Sequence, residues 1–509
     1  MGDEEAMLRL DASVSGLVER EPVMSARSSL SIGQRRGVLG IAAGLVLGMV
    51  VVPITTLSLV VTIVTVLYLA MVLYRFVLFI RSAKSDVVVR INDREAREYP
   101  AASLPVYTVL IPAFREPEVI NHLIQNVAKI DYPADRLDVK ILVEADDAET
   151  IAAIGDFDPG RQFELVHVPP SEPRTKPKAL NYGLSLAKGD LVAIYDAEDI
   201  PDPLQLRRAA IALSRMGPEV ACLQAKLSYH NPFQNLITKW FTIEYAMWFS
   251  FFLPGLASSG APLPLGGTSN HFRLSALRAM GAWDPYNVTE DADLGIRMSR
   301  EGFTVGVIDS ITLEEANSDF VNWIRQRSRW YKGYLQTFIV HMRRPREFRR
   351  EVGWRNMAHF CLFVGGTPTL ALLNPFFWLL TVLWFIGQPA FIKEIFPAPV
   401  YYIGLFCWAI GNFLFVYLTV ISCRLIRQSQ LLFAALVVPL YWVMMSMAAV
   451  KAVWQLVAQP NLWEKTFHGL HAGSRELASD PAAPPGGAAF QQVASVAPTP
   501  IEAMPTLGR

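Results

Sequence analysis

Acidic residues gather in three short clusters, each following or flanking an apolar stretch: Glu144-Ala145-Asp146-Asp147, Asp196-Ala197-Glu198-Asp199 and Thr289-Glu290-Asp291. A fourth signature, Gln326-Arg327-Ser328-Arg329-Trp330, is basic and aromatic. Oxygen ligands at alternate positions, as in Asp196 and Glu198, suit Mg2+ or Mn2+, hard cations that share their shell with phosphate oxygens. A carboxylate near the start of an amphipathic helix, as Asp291 stands beside Glu290, can take the proton of an attacking hydroxyl. Asp146 or Asp147 can accept a hydrogen bond from a nucleobase ring N–H. Lys176 and Lys178 open a helix whose dipole would help them hold phosphate. Arg329 can neutralise a diphosphate, and Trp330 offers a flat apolar face to a pyranose ring. The small stretch Gly266-Gly267-Thr268-Ser269-Asn270-His271 lets backbone approach a sugar closely.

Each motif has a plainer explanation as well. Acids after a strand form turns, and Asp147 can cap a helix starting near Glu149. Thr289 can be an N-cap, Lys176 and Lys178 can be solvated, and a Trp/Arg pair suits a membrane interface. His271 is expected to be structural. What separates these motifs from coincidence is that all occur in one chain, in this order, between apolar segments.

Those segments set the organisation. Over 509 residues, Lys plus Arg equals Asp plus Glu at 46 each, which gives no footprint for a nucleic-acid partner. The apolar residues are unevenly spread, the pattern of an integral membrane protein with a polar domain. Residues 1–36 lack a hydrophobic period and read as disordered, with no cleaved signal peptide. Residues 37–82 supply two spans bent near Pro53, with basic flanks that favour the cytoplasm on both ends. In residues 83–350, short apolar strands alternate with helices, which implies a parallel sheet with ligands beyond the strands' carboxyl ends. Residues 233–256 and 318–345 are expected to be interfacial helices, and Arg343, Arg344, Arg346, Arg349 and Arg350 to face lipid headgroups. Residues 351–458 hold further spans. Arg424 and Arg427 favour an inside loop and thus an external tail, and 459–509 reads as mostly disordered after an unexplained motif at Trp463–Gly469. The four cysteines have no metal spacing and read as buried small hydrophobes.

On Asp146-Asp147, Asp196-Ala197-Glu198, Thr289-Glu290-Asp291 and Gln326 to Trp330, the chain resembles processive family 2 glycosyltransferases, the group of cellulose, curdlan, chitin and hyaluronan synthases. The resemblance covers roughly Pro105 to Trp330 and the flanking apolar segments. It implies an α/β GT-A (Rossmann-like) cytosolic domain embedded between transmembrane helices of a bacterial inner membrane. It implies inversion at the anomeric carbon, a UDP-sugar donor (UDP-glucose by default), a divalent cation, and a β-linked polysaccharide exported through the protein's own helices. Carried onto this sequence, Asp291 is the base beside Glu290, and Asp196 and Glu198 hold the metal. Pro112, Glu116, Asp146, Asp147, Lys176, Asp196 and Arg329 bind the nucleotide sugar; Gly267, Thr268, Ser269, Gln326 and Trp330 bind the acceptor. Glu198 stands where Asp is usual, which alters the reach of that ligand. The segment after 457 is too short for a cyclic-dinucleotide-binding barrel. The other expected partners are the growing glycan, membrane lipid and export proteins. Two alternatives remain: a transferase adding one sugar to a lipid carrier, and a transporter without catalysis. The few ionisable residues in the spans, chiefly Arg75 and Lys451, weigh against transport.

Overall fold

The computed structural model describes residues 3–117, 120–155, 160–387, 389–460 and 462–464. Among the described residues nine strands form one mixed sheet: β1 (Val88–Val89), β2 (Tyr107–Ala113), β3 (Leu137–Glu144), β4 (Phe163–Val168), β5 (Leu191–Ile194), β6 (Ile200–Pro201), β7 (Val220–Tyr229), β8 (Asn270–Arg273) and β9 (Thr304–Glu314). Their order is β1-β9-β7-β8-β5-β2-β3-β4, with β6 paired to β9. Helices named below are α1 (Asp3–Arg20), α2 (Ile32–Val51), α3 (Pro53–Lys84), α4 (Lys176–Ser185), α5 (Leu236–Met247), α6 (Glu290–Arg300), α7 (Phe320–His341), α8 (Gly366–Gly387), α9 (Asn412–Leu425) and α10 (Val438–Ala458).

The central strands read as apolar runs because both faces of the sheet are covered. Helices Ile120–Ala128 and Gln205–Arg215 close one face over Val109, Ile111 and Val139. On the other face, α4, α6 and the apolar helices pack over Leu110, Leu142 and Val192. Strands β2, β3, β4 and β5 are parallel, as the alternating pattern implies. The sheet departs from the expected parallel arrangement at β8, which runs antiparallel to both β5 and β7, and at β6, antiparallel to β9. Its Asn-His-Phe-Arg sequence carries no strand period, and only pairing on both sides makes it a strand. His271 on β8 is buried, with Tyr107 Oη and Nδ1 2.7 Å apart, in the structural role expected of it.

Among the described residues, five helical runs are long and apolar enough to cross a membrane: Ile32–Val51, Pro53–Lys84, Pro345–Gly387, Ala398–Leu425 and Val438–Ala458. The first two break at Val52–Pro53, where the sequence has its proline. The third continues through a π-turn at Cys361–Gly365, with Pro375 inside the helix. The aromatic run at 233–256 is α5 followed by a π-turn at Trp248–Phe252 and a short helix. Trp240, Phe241, Phe249, Phe251 and Phe252 are buried within the protein.

Three sequence expectations are overturned. Residues 3–31 are ordered: α1 packs on α4, where Asn181 Nδ2 donates to Ser13 O at 3.0 Å. Beyond it, Asp284 accepts from Ser25 Oγ at 3.0 Å and Ala26 N at 2.5 Å. A segment without its own hydrophobic period is here ordered by the domain it lies on. Arg343, expected at lipid headgroups, donates instead to Val23 O at 2.7 Å and Ser25 O at 2.9 Å. The chain leaves α10 beside the polar domain rather than away from it. Helix α10 lies along α7, with Trp323 Nε1 3.2 Å from Tyr441 Oη at one end and Gln336 Nε2 2.8 Å from Pro460 O at the other. These contacts override what Arg424 and Arg427 suggest. Residues 465–469 of the Trp463–Gly469 motif lie outside the described residues.

Candidate active site

Strand ends, two helix starts and one long helix meet at a cavity of about 530 Å³. Pro112 reaches it from β2, Glu116 from the turn after β2, and Asp196 and Glu198 from the turn after β5. Lys176 opens α4, Glu290 and Asp291 open α6, and Gln326, Arg329 and Trp330 project from α7. Gly267 is the point of closest convergence. A Cβ there would lie 3.5 Å from Asp291 Oδ2, 3.8 Å from Lys176 Nζ and 3.9 Å from Asp196 Oδ2. Three motifs far apart in sequence thus face one glycine backbone, whose carbonyl accepts from Lys176 Nζ at 2.7 Å.

The charges are balanced locally. Lys176 is ion-paired to Asp196. Burial disfavours its charge, but Asp196 and Glu290 outweigh that and raise its pKa. Burial raises Asp291 to about 6 against the Ala292 N–H, which donates to it at 2.8 Å, and against Lys176. Burial and the neighbouring Asp291 push Glu290 higher, against Lys176 and Arg329. Burial thus raises both neighbouring carboxyls, Glu290 with the added push of the Asp291 charge. The Arg329 guanidinium lies 5.1 Å from the Trp463 ring centroid and faces the Glu290 and Asp196 charges.

Asp199 lies behind the metal-type motif. Its Oδ2 accepts from Asp196 N at 2.7 Å and from the Thr268 hydroxyl, so it braces the turn rather than facing the cavity. Among the described residues no group of three His, Cys, Asp or Glu side chains is placed to hold a metal ion. Asp196 and Glu198 both line the cavity and are oxygen ligands of the kind a hard divalent cation takes, which would share its shell with a substrate's phosphate oxygens and would have to displace Lys176 from Asp196.

The structure does not bring every expected residue to the cavity. Thr268 and Ser269 are buried away from it: Thr268 Oγ1 lies 3.1 Å from Ile194 O, and Ser269 Oγ donates to Thr312 Oγ1 at 2.6 Å. Of that stretch, the lining comes from Gly266 and Gly267. Asp147 caps the helix Ala148–Gly155 and accepts from Arg115 N at 2.5 Å, the plainer of its two explanations. Asp146 pairs with Arg174 at 2.7 Å outside the cavity lining, and that bond holds its pKa low. Lys178 is buried against Glu144 at 2.6 Å.

Other lining residues carry no motif signal. Arg327, between the two signature residues, is paired to Glu244 with Nη1 2.7 Å from Oε1 and sits 4.6 Å from the Trp330 ring centroid. Tyr245 and Phe241 flank Trp330 at 6.4 and 5.7 Å between ring centroids. Beyond them the cavity continues between the apolar helices, reaching Arg75, Phe363, Thr367, Phe415, Tyr441 and Met445. Only the spacing of Arg327 and Trp330, one helical turn apart, hints at this from sequence.

Residues 105–333 match the family described as Glycosyltransferase like family 2. The polar domain, a GT-A-like mixed α/β domain, carries this match, and over it the chain resembles family 2 glycosyltransferases. Relatives include the Probable glycosyltransferase YdaM of Bacillus subtilis, 25% identical over 57% of this chain and 73% of that protein. The Beta-monoglucosyldiacylglycerol synthase of Synechocystis is 28% identical over 60% of this chain and 62% of its own length. The Glucomannan 4-beta-mannosyltransferase 7 of Arabidopsis thaliana is 27% identical over 46% of this chain and 44% of its own length.

Proposed function

We propose that the protein transfers a hexose, with inversion, from a UDP-sugar onto an acceptor held at the membrane, and so extends a β-linked glycan. The observation that carries this is the cavity that joins Asp291, Lys176 and Asp196 at Gly267 and continues between the apolar helices. Asp291, raised to about 6, is ionised at neutral pH and takes the acceptor proton. Glu290, raised above Asp291, keeps its proton more readily and can donate a hydrogen bond. Lys176 and Arg329 face the leaving diphosphate, and Trp330, between Tyr245 and Phe241, supports the acceptor ring. Asp196 and Glu198 would hold Mg2+ or Mn2+, whose charge would neutralise the developing phosphate anion.

A second reading, transfer of one sugar to a membrane lipid, draws on the apolar wall of the same cavity and on the name of the Synechocystis relative. Both readings put the polar domain on the cytosolic side of a bacterial inner membrane.

The test is UDP release by detergent-solubilised protein across a panel of UDP-sugars with Mn2+ or Mg2+, beside D291N. Release with one sugar, lost by about a hundredfold or more in D291N, is the expected outcome. Release that persists in D291N removes Asp291 as base. The size of the product separates chain extension from single transfer.

A further inference from the structure

The end of the cavity that lies among the apolar helices contains a cation that the transfer chemistry does not use. Arg75 lies on α3, six residues before Arg81, hence about 9 Å further along the helix from that flank. It lines the same cavity as Asp291 and Trp330. Its guanidinium has five N–H donors. Its one hydrogen bond among the described residues runs from Nη2 to Thr367 Oγ1 at 2.9 Å, and Nε is buried without a partner. The rings of Phe252 and Phe363 lie 5.7 Å from its Cζ, but ring faces leave the in-plane N–H groups unsatisfied. No described carboxylate comes within ion-pair distance. Glu244, on the same cavity, is committed to Arg327 at 2.7 Å and to Tyr441 Oη at 2.7 Å.

An arginine in an apolar segment without a counter-ion is costly unless a ligand supplies one. The fork geometry matches the paired oxygens of a phosphate. Phe252 and Phe363 flank it, and the same cavity has further apolar wall in Trp248, Phe415 and Met445. A soluble anion gains nothing from such a wall, whereas an amphiphile satisfies both parts. We infer that Arg75 and Thr367 form a headgroup site for a phosphate-bearing membrane lipid, whose chains lie along the apolar part of the active-site cavity. The inference rests on the membrane placement of α3 proposed above and not on the sugar-transfer step. The lipid at this site is then positioned as acceptor or primer, with Arg75 setting its depth relative to Asp291.

Native mass spectrometry of the full chain in a maltoside detergent tests this with three probes: short-chain phosphatidylglycerol, the matching diacylglycerol and inorganic phosphate. The expected result is retention of phosphatidylglycerol about tenfold or more above either other probe. R75Q is expected to abolish the preference, R75K to keep part of it, and R81Q, at a side chain bonded to Ser259 outside the cavity, to leave it unchanged. D291N is expected to bind the lipid as the wild type does, so failure of the transfer reading and failure of this one are distinguishable. Equal retention of diacylglycerol overturns the phosphate site, and equal binding of inorganic phosphate overturns the lipid. An unchanged preference in R75Q, or a loss in R81Q as large as in R75Q, also overturns it. If R75Q does not fold, the three probes on the wild type decide.

Discussion

At the residue scale, the environment assigns different tasks to two adjacent acids. Glu290 and Asp291 are neighbours in sequence, yet Asp291 accepts the Ala292 N–H and Glu290 bears the charge of Asp291 beside it. If Asp291 is the base, activity requires its ionised form. Its raised value of about 6 then predicts that kcat/KM falls roughly tenfold per pH unit as pH drops below that point. A pH profile measured at saturating metal checks this, and a rate that stays flat well below pH 6 would argue against Asp291. The same scale explains Thr268 and Ser269. Their hydroxyls look available in sequence, but strand pairing on either side turns them inward to Ile194 O and Thr312.

At the element scale, the site depends on how closely α7 approaches α6. Gly333 on α7 faces Thr289, the residue before α6. A Cβ at 333 would lie 2.7 Å from the Thr289 Cβ and closer still to its Oγ1 and Cγ2. Gly333→Ala is expected to cost about 1–3 kcal/mol by overpacking. It should also move Arg329 and Trp330 relative to Asp291, lowering kcat beyond what the loss of folded protein explains. Thermal melts beside initial rates, normalised to folded enzyme, read the two effects separately. Gln326 and Trp330 are legible in sequence because one helical turn brings them to one face. The contact of Gly333 with Thr289 is not, because no local pattern marks where two helices cross.

At the scale of the whole molecule, the N-terminal segment binds together the elements that carry the site. It bonds to Asn181 on α4, to Asp284 in the loop before α6, and to Arg343 just after α7. Asp284→Ala removes the acceptor of Ser25 Oγ and Ala26 N, and is expected to destabilise the protein by about 1–3 kcal/mol. A melting curve against the wild type checks it, and an unchanged midpoint would mean the clasp adds nothing. The packing of α10 along α7 carries a topological prediction. A cysteine placed at exposed Gln459 is expected to be labelled from the same side of the membrane as one placed at Glu98 in the polar domain. Labelling from opposite sides would contradict the contact of Gln336 with Pro460.

The sequence by itself determined the strands that end in carboxylates, the Thr-Glu-Asp and Gln-x-x-Arg-Trp signatures, and the apolar segments, because each depends on composition within about ten residues. Tertiary structure alone decided which carboxylates meet. Asp147 became a cap and Asp196 a cavity wall, although both follow buried strands and look alike in sequence. It also decided that residues 3–31 are ordered and that the chain after α10 returns to α7. Those outcomes come from long-range hydrogen bonds, such as Ser25 to Asp284 and Gln336 to Pro460, whose partners lie more than a hundred residues apart. No periodicity encodes such a pair. Only packing the sheet, the helices and the two chain ends onto one another brings them together.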